Sequence, residues 1–294
     1  MAAASMASMA RPTYPPVPPR ELPPARTVTV PGRGEFFLRD TATDGPPVLL
    51  LHGWMVSADL NWQAAYEPLA DAGYRVLAID HRGHGRGLRA LEPFRLTDCA
   101  ADAAAVLARL QTGPAIVVGY SMGGTIAQLM ARDHRDVVCA LILSGTCQHF
   151  QDPETRKLWK WMGPVGVAAG VAPRRAFEVG LKRSGIELNA RTAWWLSELT
   201  RHSARDLAAA GRELGRFDSR GWLAAVDIPA AVVVTSRDRA VSPAKQRELA
   251  AALRADVFEA PIDHLDLTNR PADYNPALIA AVAAVAGARR AAVA

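Results

Sequence analysis

The sequence predicts an α/β protein: a mostly parallel central sheet with helices on both faces and a helical insertion. Three observations predict it. Short apolar runs alternate with helical stretches of roughly 10–15 residues, the pattern of repeated strand–helix–strand crossovers. Most of these runs are continuously apolar, as strands covered on both faces are. The alternation stops between Cys147 and about Leu223 and then resumes, which marks an insertion between two strands of one sheet.

Residues 25–30 (ARTVTV) and 35–40 (EFFLRD) flank the turn signal Pro31-Gly32-Arg33-Gly34 and read as a hairpin. The run Pro46 to Leu51 ends in His52-Gly53-Trp54, and a helix is expected from Asn61 to Ala72, closed by Gly73. Residues 74–80 (YRVLAID) form the next buried strand and lead into a glycine-rich loop, His81 to Gly87. A helix over Leu96 to Leu110 has Thr97 or Asp98 placed as its N-cap. The strand AIVV, starting at Ala115, meets the helix that starts at Met122, and the run from Val138 to Gly145 is a further strand. Beyond the insertion come a strand ending near Thr235, a helix from Pro243, a strand over Asp256 to Asp263, and a closing alanine-rich helix from about Asn275 to Arg290. The chain therefore divides into a proline-rich tail (1–26), a core (27–146 and 224–290) and a helical insertion (147–223) carrying Trp159, Trp161, Trp194 and Trp195.

With 294 residues, 50% hydrophobic and 21% charged, the chain has the composition of a globular protein, which excludes whole-chain disorder and fibrous rods. The net charge of +5 is carried almost entirely by scattered arginines, without a basic tail or nucleic-acid motif. A solvated basic surface is the reading; binding of nucleic acid through Arg82, Arg86, Arg89 and Arg95 would have only charge behind it. Cys99, Cys139 and Cys147 lack metal-ligand spacing and read as core residues in a reducing compartment. The tail has no secretory-signal pattern, and its prolines favour an extended, solvated, disordered segment. No apolar run reaches the ~18 residues that cross a bilayer, so a cytoplasmic location is expected.

Gly119-Tyr120-Ser121-Met122-Gly123 is a G-x-S-x-G sequence between a strand and an amphipathic helix. So tight a turn strains the serine backbone and needs small flanking residues, and it pushes the hydroxyl out at a helix N-terminus, where developing negative charge is favoured. A glycine-rich packing turn with an incidental serine is the alternative reading.

With this elbow, His52-Gly53-Trp54 and Asp80-His81-Arg82-Gly83-His84-Gly85 in order, residues 27–290 resemble the α/β-hydrolase superfamily. The resemblance implies that fold with a helical cap at the insertion, a serine nucleophile at Ser121, and the chain order nucleophile, acid, histidine. His264, after the last strand, is then the base and Asp238, at the end of the preceding strand, the orienting acid; the flanking Arg237 and Arg239 would help keep Asp238 ionised if their side chains point the same way. His52 reads as a turn residue, His134 as a surface or C-capping residue, and His202 belongs to the cap. The resemblance places the oxyanion hole at the backbone N–H groups of Trp54 and Met122. Their side chains, with Trp194 and Trp195, are the candidate walls of the substrate pocket. Two positions depart from the family pattern: Asp263 precedes His264 where many relatives have Gly, and Gly87 stands where many have Ser.

A serine rather than an aspartate at the elbow argues against attack through a carboxylate. The expected function is hydrolysis of a small hydrophobic ester, as by a carboxylesterase or lipase-like enzyme, through an acyl-enzyme, with no cofactor and no metal. A C–C bond hydrolase, a cofactor-free perhydrolase and a non-catalytic ligand-binding member are the alternatives.

Overall fold

Strands β1 (Ala25–Val30) and β2 (Gly34–Asp40) pair as an antiparallel hairpin, as the turn signal predicts. With β3 (Pro47–Leu51), β4 (Arg75–Ile79), β5 (Ala115–Tyr120), β6 (Val138–Ser144), β7 (Ala230–Thr235) and β8 (Asp256–Ala260) they form one sheet. The order is β1-β2-β4-β3-β5-β6-β7-β8, and every pairing from β4 through β8 is parallel. The computed structural model describes residues 15–152 and 189–293. Trp159, Trp161 and the first 14 residues lie outside that description.

Alternate residues of the strands feed two cores. Leu49 and Leu51 of β3 pack into one, Val48 and Leu50 into the other. The first core lies under α3 (Leu96–Leu110), α4 (Met122–Asp133) and α7 (Pro243–Leu253). The second lies under α1 (Ala58–Trp62), α2 (Tyr66–Asp71) and α8 (Pro271–Val293). Every residue of β5 is buried, and full burial of a Val or Ile contributes roughly 1.5–3 kcal/mol. Helices α5 (Ala190–Leu199) and α6 (Ala204–Arg216) lie between β6 and β7, and α6 buries Ala210 and Leu214 in the first core. The chain runs from β3 to β4 on one side and crosses back to β5 on the other. The loops after β3 and β5 therefore diverge at a topological switch point, where open parallel sheets form crevices at their carboxyl ends.

The structure differs from the sequence reading at several elements. The helix expected over Asn61 to Ala72 is two helices, α1, capped by Ser57, and α2. Pro68 has no N–H for the carbonyl of Ala64, which instead accepts a bond from the Asn275 side chain (2.6 Å). In α3 the N-cap position falls on Arg95, without a side-chain bond. Asp98, in the first turn, pairs with Arg82 instead, as does Asp102. The closing helix begins at Pro271, since proline fits a first helical turn, and carries Pro276 inside it. The proline-rich tail is fastened over its described part: the Val17 N–H donates to the Ala190 carbonyl (3.1 Å), Arg39 bonds the Pro23 carbonyl (3.0 Å), and Leu22 packs on the second core. Among the described residues, no helix is long and apolar enough to cross a membrane.

Candidate active site

Ser121 sits between β5 and α4 with φ +53° and ψ −116°, a left-handed conformation that costs free energy in any non-glycine residue. Its N–H is held by the Ser144 carbonyl (2.9 Å). The neighbouring glycines are required by close approach: a Cβ on Gly119 would lie 2.3 Å from the Gly123 carbonyl oxygen, and one on Gly123 2.0 Å from that of Leu51. The elbow is wedged against the end of β3, and the serine has nowhere to point but outward.

His264 and Asp238 come to it from loops after β8 and β7. His264 Nε2 lies 3.0 Å from Ser121 Oγ, and Nδ1 lies 2.7 Å from Asp238 Oδ2. The Asp238 carboxylate is buried and accepts on both oxygens. Oδ1 takes the N–H groups of Ala240 and Val241 (2.8 Å each), and Oδ2 the Thr235 hydroxyl (2.7 Å). With the carboxylate so held, Nδ1 is the protonated ring nitrogen and Nε2 is free to accept the serine proton. The Tyr120 hydroxyl donates to the His264 carbonyl (2.7 Å), fixing the backbone of the same loop.

Arg239 does not meet the condition for supporting Asp238, a side chain pointing the same way. Its guanidinium reaches Asp263 (2.5 Å) and is largely exposed. Backbone N–H groups and a hydroxyl, not a guanidinium, hold the Asp238 carboxylate. Asp263 turns away from the imidazole; its Oδ1 accepts the N–H of His264 (2.7 Å) and of Arg239 (3.1 Å). Those backbone bonds, Arg239's first, pull its carboxyl below the usual range.

The turn after β3 is held by side-chain hydrogen bonds. Burial keeps the His52 imidazole neutral, well below its usual titration range. Its Nδ1–H donates to the Gly53 carbonyl (2.7 Å) while Nε2 accepts the His81 N–H (3.0 Å). Asn61 Oδ1 accepts the Gly53 N–H (2.8 Å). A Cβ on Gly53 would lie 3.4 Å from Ser121 Cβ, so the residue after it, Trp54, opens beside the serine. Met122 follows Ser121 at the amino end of α4, where backbone N–H groups lack intrahelical acceptors.

A cavity of about 290 Å³ opens onto Ser121 and His264, walled largely by apolar side chains. Trp54, Leu60, Trp195, Leu199, Leu265 and Leu267 are among its walls. Of the four side chains expected there, Trp54 and Trp195 line it. Met122 is fully buried in the first core, because the first turn of α4 points it under the sheet rather than into the crevice. Trp194 lies behind the wall, edge-on to Trp195 with centroids 6.1 Å apart. Sequence reasoning missed Thr235, Tyr120, Asn61 and Glu198. For Glu198 a signal existed, a lone carboxylate four residues after Trp194 and so on the same helical stripe.

A family model described as "alpha/beta hydrolase fold" matches residues 46–267, and the chain belongs to that family of hydrolase enzymes. The non-heme haloperoxidase of Rhodococcus erythropolis is 30% identical over 247 residues, 77% of this chain and 86% of its own. A bifunctional esterase/perhydrolase of Acinetobacter calcoaceticus is 35% identical over 111 residues, 37% of this chain and 40% of its own. The solved structure of a thermophilic esterase from Thermogutta terrifontis superposes with a TM-score of 0.68 at 25% identity, covering 87% of this chain and 96% of that one.

Proposed function

We propose that this chain is a serine esterase that cleaves small hydrophobic carboxylic esters through an acyl-enzyme. The observation that carries the reading is the hydrogen-bonded series from Ser121 through His264 to Asp238 at the floor of an apolar cavity. In this reading Ser121 Oγ attacks the ester carbonyl while His264 Nε2 takes its proton, and the oxyanion receives the N–H groups of Met122 and Trp54. His264 then returns the proton to the leaving alkoxide, and water, activated by the same nitrogen, hydrolyses the acyl-enzyme. Asp238 holds the ring and stabilises the imidazolium. Of the expected cap, 147–223, residues 153–188 lie outside the described residues; in the described part Trp195 and Leu199 roof the acyl portion.

Labelling by a fluorophosphonate, with hydrolysis of a chromogenic ester series, tests the assignment. Ser121→Ala should abolish both without unfolding, since alanine fits the turn as well as serine does. Labelling of the mutant at another serine, in full yield, refutes it.

A second reading has its own support in the relatives named haloperoxidase and esterase/perhydrolase. Hydrogen peroxide replaces water against the acyl-enzyme, giving a peracid and free Ser121. Adding peroxide to the ester assay and trapping the peracid separates the two.

A further inference from the structure

Helix α5 carries two adjacent stripes. Trp195 and Leu199, one turn apart, line the cavity, while Trp194 and Glu198 turn inward and are buried. A fully buried carboxylate is unfavourable unless its oxygens are bonded to charged or polar partners. Glu198 meets that condition. Its Oε1 accepts from Arg86 Nη2 (2.5 Å) and Arg201 Nε (3.0 Å), and its Oε2 from Arg86 Nη1 (3.0 Å) and the Ser57 hydroxyl (2.9 Å).

Both of its core partners are themselves fixed. The Arg86 backbone N–H donates to Asp80 (2.8 Å), and its guanidinium lies 4.8 Å over the Phe37 ring and 3.5 Å from Asp59. Ser57 caps α1, and α1 supplies Leu60 and Asn61 to the lining of the same cavity. One carboxylate thus fastens α5 to the start of α1, so that the cavity residues of the two helices are held relative to each other.

We propose that Glu198 is a positioning residue that sets the distance between the cavity residues of the two helices and thereby the acyl-chain preference. The consequence for acyl chains rests on the reading of Ser121 as nucleophile; the clamp rests on the contacts alone. A bidentate pair fixes both the distance and the angle of α5, so a shift of the helix cannot be absorbed without breaking it. Trp195 and Leu199 move with it.

Glu198→Gln keeps the shape but removes the charge and places a donor against Arg86 or Ser57. The double variant Arg86→Met with Glu198→Met guards against misfolding, because apolar replacement of a buried ion pair is often tolerated. Two readouts are taken on variants whose melting is cooperative. Hydrogen exchange should accelerate in residues 190–199 by about tenfold or more, with β5 unchanged. In an acetyl-to-octanoyl ester series, kcat/KM for the longer chains relative to acetyl should change by about tenfold, carried mainly in KM. Wild-type exchange in α5 and a wild-type chain-length profile in a folded variant overturn the proposal. A wild-type chain that neither labels with a phosphonate nor cleaves any ester overturns the nucleophile reading instead, which the exchange measurement does not touch.

Discussion

Asp263 ties Arg239 to His264: one carboxylate oxygen accepts the backbone N–H of both, at 3.1 and 2.7 Å. The loops carrying Asp238 and His264, 26 residues apart in sequence, are thereby joined beside the imidazole–carboxylate contact. The departure from the family's usual glycine is a brace between two loops. Asp263→Asn keeps the accepting oxygen and should leave the plateau kcat/KM within about tenfold, whereas Asp263→Ala loses the brace and should cost roughly ten- to a hundredfold. Measured on one activated ester across pH, a large loss in the Asn variant would assign the role to the charge instead.

Asp238→Asn should lower kcat by about 10⁴, on the order of 5–6 kcal/mol of barrier. The reason is local. The Ala240 and Val241 N–H groups require an acceptor at Oδ1, so the amide NH2 is turned toward His264. A donor facing Nδ1 selects the tautomer with its proton on Nε2, which cannot take the serine proton. Stopped-flow acylation of the variant, beside Asp263→Asn, checks the order of the two carboxylates; a spared Asp238→Asn would reverse it.

Trp195→Ala should alter chain-length preference, because its ring lines the cavity. Trp194→Ala should act through stability, losing about 3–5 kcal/mol as buried aromatics do, with preference in the surviving folded enzyme much less changed. Ester profiles and melting temperatures for both single variants decide this. Equal profiles would mean that the two rings act as one packed unit.

Acid should destabilise the fold. Burial and the neighbouring Arg89 push the His202 imidazole down to about 4, and burial with the charge of the nearby His84 pushes His81 down to about 3. In the unfolded chain these rings take up protons near 6.5, which the folded rings refuse. Their stabilising effect is therefore complete above about pH 6.5 and is lost as pH falls toward 4. Asp80, raised by burial to about 6, opposes this between pH 6 and 4, but His52 and His84 act in the same direction as His81 and His202. His202→Asn preserves an acceptor for the Gly85 N–H (2.9 Å in the wild type) and should flatten the fall in melting temperature between pH 7 and 5. Parallel curves for mutant and wild type would remove His202 from this account.

The sheet and the elbow were legible because their signals are local. A continuously apolar run such as Ala115 to Val118 has no soluble conformation other than a covered one. G-x-S-x-G between strand and helix needs glycine wherever a Cβ would strike backbone. Helix starts were less legible. Ser57 caps α1 through the Leu60 N–H while Asp80 takes the Ala58 N–H and Asn275 the Ala64 carbonyl, and Arg82 pairs with Asp98 at the start of α3; Asp80, Asn275 and Arg82 are all distant in sequence from the groups they bind.

The sequence by itself determined the α/β fold, the hairpin, the interruption after β6, and a short set of chemically competent residues in the order Ser121, Asp238, His264. Only the tertiary structure decided their company: that Arg239 serves Asp263 and not Asp238, that Thr235 and two N–H groups hold the Asp238 carboxylate, and that Trp195 rather than Trp194 meets the cavity. The physical reason is directional. Periodicity and composition report which side chains leave water, but a hydrogen bond requires a donor and an acceptor within about 3 Å and in line, and that is set by how distant loops are brought together.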